Sequence, residues 1–276
     1  MSCVEVLVAC MHQEDDSLYR EMNLQTDAIL ANQCDAYFYK EYTQPDGNRV
    51  KLISTADRGV GRNRNKALMH ASGQYLLFSD QDMIYVDGYE RLVIDAFAQR
   101  PDADLIIFNL EYLNRFTQGR KEYTKFRRIH IWNCMRYGTA RVAMRKSAVD
   151  KACLSFSVLY GGGAKYGSGE DSLFILDCFR AGLRVYSHDY VLGTCAKDSS
   201  SWFTGFNEKY MFDKGAWIAC GFPKAKHWIK WYFIRRFSGK SELPRKMVIA
   251  QINAGIRAFD DLNRFEAINN SAEKEE

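Results

Sequence analysis

Short apolar runs alternate with longer stretches of helical period along the first 190 residues. Val4–Cys10 reads as a strand, and Met11–Asp16 as a polar loop. A helix is predicted over about Ser17–Thr26, then a second strand at Ala28–Ala31 ending in Asn32-Gln33-Cys34-Asp35. Residues 37–48 read as turn-rich, with Pro45-Asp46-Gly47-Asn48 the clearest signal. Val50–Ser54 is a third strand. A helix carrying Arg62, Arg64 and Lys66 follows Gly59 and Gly61 and breaks at Ser72-Gly73. Tyr75–Phe78 is apolar throughout, as a strand covered on both faces must be. Asp87–Arg100 predicts a further helix and Leu105–Phe108 a further buried strand. Strands separated by helices argue for βαβ units, hence an α/β fold with a mostly parallel central sheet flanked by helices.

The pattern then loosens. Residues 111–147 hold basic, aromatic-rich segments, among them Arg127–Trp132 and Ala140–Met144, read as strands at the sheet's edge or under a groove. Five glycines fall within residues 161–169, a loop that permits close backbone approach. Glu170 and Asp171 open a helix through about Ala181, and acidic residues at that position are already favoured by the helix dipole. A helical extension over 201–266, including Leu243 to about Phe265, precedes a polar tail at 267–276. The catalytic unit is therefore expected within 1–200.

Composition narrows the class. With 276 residues, 47% hydrophobic and 14% aromatic, the chain buries a sizeable core, which excludes global disorder. The net charge of +4 is mild. Eight cysteines occur without a Cys-x-x-Cys pair, so no zinc framework is readable. The N-terminus lacks a signal peptide's regions, and no apolar run reaches the roughly 18 residues of a membrane span. These features predict a cytoplasmic protein with reduced thiols. One segment stands out: residues 224–237 interleave Lys224, Lys226, Lys230, Arg235 and Arg236 with Trp228, Trp231, Tyr232 and Phe233. It fits either a helix at the inner face of the cell membrane or a basic helix packing its aromatics on the core.

Candidate chemistry centres on Asp80 and Asp82. In an extended backbone, residues i and i+2 point the same way, so both carboxylates would converge at the end of the strand. Two such carboxylates suit a hard cation, Mg²⁺ or Mn²⁺, with water and phosphate completing the shell. An Asp-x-Asp after a strand is also an ordinary turn. The Gly59–Lys66 segment, one helix earlier, adds backbone and cations suited to phosphate. Open α/β sheets bind ligands outside the carboxyl ends of their strands, which is where both features lie.

Taken together, Asp57–Ala67, the strand ending Ser79-Asp80-Gln81-Asp82, and Gly169-Glu170-Asp171 opening a helix that closes at Ala181-Gly182 resemble the family 2 glycosyltransferases. The likeness covers roughly residues 1–190 and is strongest to bacterial capsule, lipopolysaccharide and exopolysaccharide enzymes. It implies the GT-A fold, a nucleotide-sugar donor (a UDP-sugar), and a glycan or polyprenyl-linked saccharide acceptor. By resemblance, Ala9, Cys10, Met11, Asn32 and Asp35 lie around the base and ribose. Asp57 contacts uracil and Arg62 lies near base or phosphate. Asp82 holds the metal, with Asp80 nearer the ribose and metal waters. Asp171 is the general base, paired with Glu170. The family's usual Asp-Asp-Gly-Ser is here Asn32-Gln33-Cys34-Asp35. The nearest counterpart of its metal-ligating histidine is His188, while Gly193-Thr194-Cys195 stands where that ligand is expected.

The resulting expectation is a metal-dependent, inverting transferase of surface polysaccharide synthesis. The alternatives are a nucleotidyltransferase of related fold, a nucleic-acid-binding protein using 224–237, and an inactive relative that keeps the nucleotide pocket. The small net charge and the acidic cluster argue against nucleic acid.

Overall fold

Glu5 is a charged residue in the middle of an apolar strand, and its partners explain how the sheet is tied to its first helices. Its carboxylate accepts from the backbone N–H groups of Ser72 and Gly73, at 2.6 and 2.8 Å, and lies 3.7 Å from Lys51. The buried charge is thus satisfied, and it fixes the break after the helix. A Cβ on Gly73 would sit 2.6 Å from that of Glu5, so the turn passes only as glycine.

The computed structural model describes residues 2–112, 125–131, 137–195 and 205–272, without the side chains of 112 and 265–272. The described chain forms two compact units, residues 1–164 with 170–200, and residues 165–169 with 201–276.

The first unit is an α/β sheet protein. Its strands are β1 (Val4–Met11), β2 (Asp27–Gln33), β3 (Phe38–Thr43), β4 (Arg49–Thr55), β5 (Tyr75–Asp80), β6 (Met83–Tyr85), β7 (Leu105–Tyr112), β8 (Arg127–Arg128), β9 (Val142–Arg145) and β10 (Val185–Cys195). Its helices are α1 (Leu18–Glu21), α2 (Val60–His70), α3 (Tyr89–Gln99), α4 (Lys146–Ala152) and α5 (Glu170–Arg180). The sheet runs β3-β4-β2-β1-β5-β9-β7-β10-β6, with β8 beside β10. Strands β4, β2, β1 and β5 are mutually parallel and mostly buried, as their largely apolar sequences require.

Three expectations change. The first helix is a single turn, because Asn23 takes a left-handed φ of 53° and the Leu24 N–H closes back on the Tyr19 carbonyl. Residues 38–43, read as turn, are the antiparallel edge strand β3, whose side chains are mostly exposed and carry little apolar signal. Ala140–Met144 reads as a strand at the sheet's edge or under a groove; β9 is not at the edge but central, antiparallel to both β5 and β7. Trp132 of the neighbouring segment lies outside the described residues.

The sheet cannot be flat. From Asp80 to Met83 there are three peptide links, reaching about 11 Å at most. On a flat sheet β5 and β6 would stand four strand spacings apart, about 19 Å. The far edge therefore curls over, bringing the end of β10 to the end of β5, where Cys195 pairs with Met83.

The second unit contains α6 (Glu208–Gly221), α7 (Lys226–Phe237) and α8 (Arg245–Ala272). Helix α8 outruns the expected end near Phe265 and extends into the segment read as tail; residues 273–276 lie outside the described ones. The strap 165–169 joins this unit through α6: Gly167 donates its N–H to Asp213 (2.9 Å), and Trp217 donates to the Gly169 carbonyl (3.2 Å). Among the described residues, no helix is long and apolar enough to cross a membrane.

Candidate active site

Helix α2 is the keystone of the carboxyl edge of the sheet. Its Asn63 amide donates to the carbonyls of Cys10 (3.2 Å) and Ala31 (2.6 Å), fastening the helix across the ends of β1 and β2. Gly61, Arg64 and Ala67 share the buried face, three residues apart. Gly61 lets the Ser157 carbonyl approach the helix, where a Cβ would collide with it.

Arg64 is 4% exposed and binds three carboxyl groups. One terminal nitrogen donates to Asp171 Oδ1 at 2.7 Å and lies 3.4 Å from Glu170 Oε1. The other donates to Asp80 Oδ1 at 2.9 Å. Burial opposes its charge, but Asp171, Asp80 and Glu170 together outweigh burial and hold it firmly protonated. Beneath it lies Phe156, 5.4 Å from the guanidinium, stacked at 4.0 Å on Phe174. Thr139 donates a second hydrogen bond to Asp171 Oδ1, at 2.6 Å. The base candidate is thus gripped by one oxygen, while Oδ2 has no hydrogen-bond partner among the described residues.

Glu170 is a strongly perturbed acid. Burial first, then the neighbouring Asp171 charge, push it up to about 7 against the opposing pull of Arg64. Gly161, at φ 102°, lets the loop pass the Glu170 carboxyl, whose Oε2 lies 2.9 Å from where a Cβ would stand. Asp80 is also pushed up, by burial more than Arg64 lowers it, with Asp171 and Asp82 adding repulsion. Even so, 41% of its side chain is open. Asp82 follows in a turn rather than in extended backbone, so the expected i, i+2 convergence does not apply. It still lies close enough to raise Asp80, and its own carboxylate makes no hydrogen bond or ion pair among the described residues.

A second group of polar side chains lines the same edge. Gln81 accepts from the Met11 N–H (2.8 Å) and Gln33 from the Gly59 N–H (2.9 Å). Lys66 donates to Asp57 at 2.6 Å; that hydrogen bond and charge, with Arg62 beyond, hold the Asp57 carboxyl below its usual range. Arg62 is exposed. Asp35 is exposed and paired with Arg58. Ala9 sits in register with Asp80.

Three of the sequence-predicted residues turn elsewhere. The Cys10 thiol points into the core towards the Ala31 carbonyl, and burial pushes its pKa up. Asn32 is fully buried, donating to the Gln13 carbonyl and Ser54 hydroxyl (both 2.7 Å) and accepting from the Gln13 N–H at 2.9 Å; it shapes the loop wall. His188 is not beside the aspartates. It stands seven residues before Cys195, roughly 20 Å along β10 at about 3.3 Å per residue. There Phe108, Phe126 and Tyr190 surround its ring, and burial lowers its pKa despite Asp189. His188 is therefore corrected to a core residue.

Sequence reasoning did not assign roles to Thr139 or Gln81, and it read Arg64 and Lys66 only as cations suited to phosphate. Only Arg64 left a signal, the small-residue spacing Gly61–Arg64–Ala67.

The family model described as Glycosyl transferase family 2 matches residues 35–159. Residues 1–349 of S. aureus TarS, crystallised with UDP-GlcNAc, superpose with a TM-score of 0.58 at 14% identity, covering 85% of this chain and 72% of that one. The same fragment with UDP gives 0.56 at 15% identity over the same shares. The fold is GT-A. A longer TarS structure also superposes at 0.56, with 43% of its chain covered. No curated protein matches the chain in sequence. Within this GT-A sheet, the Arg64 cluster lies at the carboxyl end of β5, where such sheets take their ligands.

Do the residues suit a divalent cation? Asp80, Glu170 and Asp171 gather around a single guanidinium and Asp82 lies close to Asp80, so the carboxyl groups outnumber the one cation. Among the described residues no set of three potential protein ligands exists. The available donors are hard carboxylate oxygens, two at most from the turn, which fits a cation that keeps water and phosphate in its shell. They do not suit zinc.

Proposed function

We propose that the protein transfers a sugar from a nucleoside-diphosphate donor to a hydroxyl of a glycan or lipid-linked acceptor, inverting the anomeric centre. The reading rests on one observation: Arg64 draws Asp80, Glu170 and Asp171 together at the ligand-binding edge of a GT-A sheet. The family 2 match over 35–159 and the sheet shared with the TarS complexes of UDP-GlcNAc and UDP favour a UDP-sugar. Surface polysaccharide synthesis is the setting this chemistry suits.

Asp82, with the open oxygen of Asp80, would hold Mg²⁺ or Mn²⁺. When bound, that ion supplies Lewis-acid stabilisation of the departing diphosphate. Met11, Asp35, Asp57 and Arg62 surround the space assigned to base, ribose and phosphate. Asp171 takes the acceptor proton on Oδ2 while Arg64 and Thr139 hold Oδ1 still. The acceptor oxygen then bonds the anomeric carbon as the carbon–diphosphate bond breaks. A single displacement inverts the configuration, and the base is worth about 10²–10⁴-fold. Glu170 positions Arg64 and the adjoining glycine loop; it is not asked to move a proton.

The test is a panel of nucleotide sugars with Mg²⁺ or Mn²⁺, read by thermal shift and by nucleoside-diphosphate release. One donor should raise the melting point and release its diphosphate only with a metal and an acceptor. Pyrophosphate release from a nucleoside triphosphate would overturn the reading.

A further inference from the structure

Helix α7 is apolar on two opposite sides. At 100° per residue, Phe233, Ile234 and Phe237 fall on one face, and all three are buried. Trp228, Trp231, Tyr232 and Arg235 fall on the other. There the exposures are 83% for Trp228, 51% for Trp231 and 53% for Tyr232. A helix that only packs on its neighbours carries one apolar stripe, with polar residues outward. Here the outward stripe is aromatic as well.

The surrounding charges are equally one-sided. Lys226 and Lys230 are already committed to α8, donating to Asp260 (2.6 Å) and Asn253 (3.1 Å). Lys224, Arg235, Arg236 and Lys240, on or beside α7 in the chain, are exposed, and so are Arg245, Lys246 and Met247 at the start of α8. The only exposed acid in residues 224–247 is Glu242.

We infer that this face of the second unit docks on an anionic lipid bilayer, with α7 lying in the headgroup plane. Indole and phenol rings are most at ease at such an interface, their rings among the upper acyl carbons and their polar edges wet. Cations beside them meet lipid phosphates, whose negative surface potential draws them in. Three exposed rings on one helix face, with Arg235 among them, fit a flat apolar layer under a charged skin. The inference stands apart from the proposed reaction, because its readout is binding.

The experiment is co-sedimentation of the full chain with vesicles of phosphatidylcholine alone, or with about one-third phosphatidylglycerol. Binding should require the anionic lipid and weaken with salt. The pair Trp228→Ser and Trp231→Ser should lose at least about tenfold in partitioning, and the pair Arg235→Glu and Arg236→Glu should lose as much. Both pairs are exposed, so circular dichroism and melting point should match the parent. In the unmodified protein, brominated lipid should quench tryptophan fluorescence, which tests insertion without any variant. Absence of binding to anionic vesicles would overturn the inference. So would unchanged binding by the tryptophan pair, or preferential binding to an RNA or DNA oligonucleotide without quenching by brominated lipid.

Discussion

Arg64 and Asp171 lie 107 positions apart in the chain, yet their side chains meet at 2.7 Å, and the same guanidinium reaches Asp80. The proposed base and the start of the proposed metal turn are thus held to one rigid fork. Only arginine can do this, because lysine offers a point charge that cannot bridge carboxylates fixed on separate elements. Arg64→Lys should therefore cut kcat by roughly a hundredfold or more, with a smaller change in KM. Arg64→Met should in addition lower stability by about 3 kcal/mol, the low end for breaking a buried pair, since both partners remain partly open to water. Steady-state kinetics and urea melts check the two effects. An Arg64→Lys enzyme with full kcat would refute the bridging role.

Asp171→Asn preserves shape and removes the proton acceptor. Transfer should fall by about 10²–10⁴-fold, while the thermal shift given by nucleoside diphosphate and metal stays at the parent value. Thr139→Val removes one hydrogen bond to the same carboxylate and leaves the residue in place. Its loss should be about tenfold, the lower end for a bond to a charged group. A Thr139→Val loss equal to that of Asp171→Asn would mean that the threonine does more than hold Oδ1.

The legible parts of this molecule are those written in local pattern. The apolar runs of β1, β2, β4, β5 and β7 announced themselves, since strands buried on both faces carry few polar positions to break the run. Glu170 and Asp171 were visible because a glycine-rich loop and a helix start both mark the place. The edge strand β3 was hidden: one exposed face leaves a mixed sequence that the adjoining turn signals overwhelm. The spacing along the chain already pointed to Gly193-Thr194-Cys195, and the register agrees: Cys195, and not His188, reaches the aspartate turn. Arg64 was seen as one of three basic residues on a helix, and its burial could be read only from the small residues that flank it.

Asp82 tests the metal. Because its carboxylate has no partner among the described residues, Asp82→Asn should leave the stability of the ligand-free protein within about 0.5 kcal/mol of the parent. The rise in melting point with nucleoside diphosphate plus Mn²⁺ should vanish, and the same loss should follow chelation of the parent enzyme. A variant that keeps the metal-dependent shift would move the site away from this turn.

Glu170 supplies a pH signature that needs no substrate. Its folded pKa, about 7, lies above the unfolded value of 4.5, with burial the main cause. Between those values the folded state holds more protons than the unfolded one. The stability contributed by the protonated acid is therefore fully present below pH 4.5 and lost as pH rises through 7. Glutamine mimics the neutral acid at every pH. The melting temperature of Glu170→Gln relative to the parent should accordingly climb by a few degrees between pH 5 and pH 8, most steeply between the two pKa values and levelling off above about 7. If burial did not outweigh Arg64, the glutamate would be favoured in its charged form, and the difference would run the other way. Differential scanning calorimetry at four or so pH values decides the sign, and with it whether Glu170 is held as an acid among the carboxylates around Arg64.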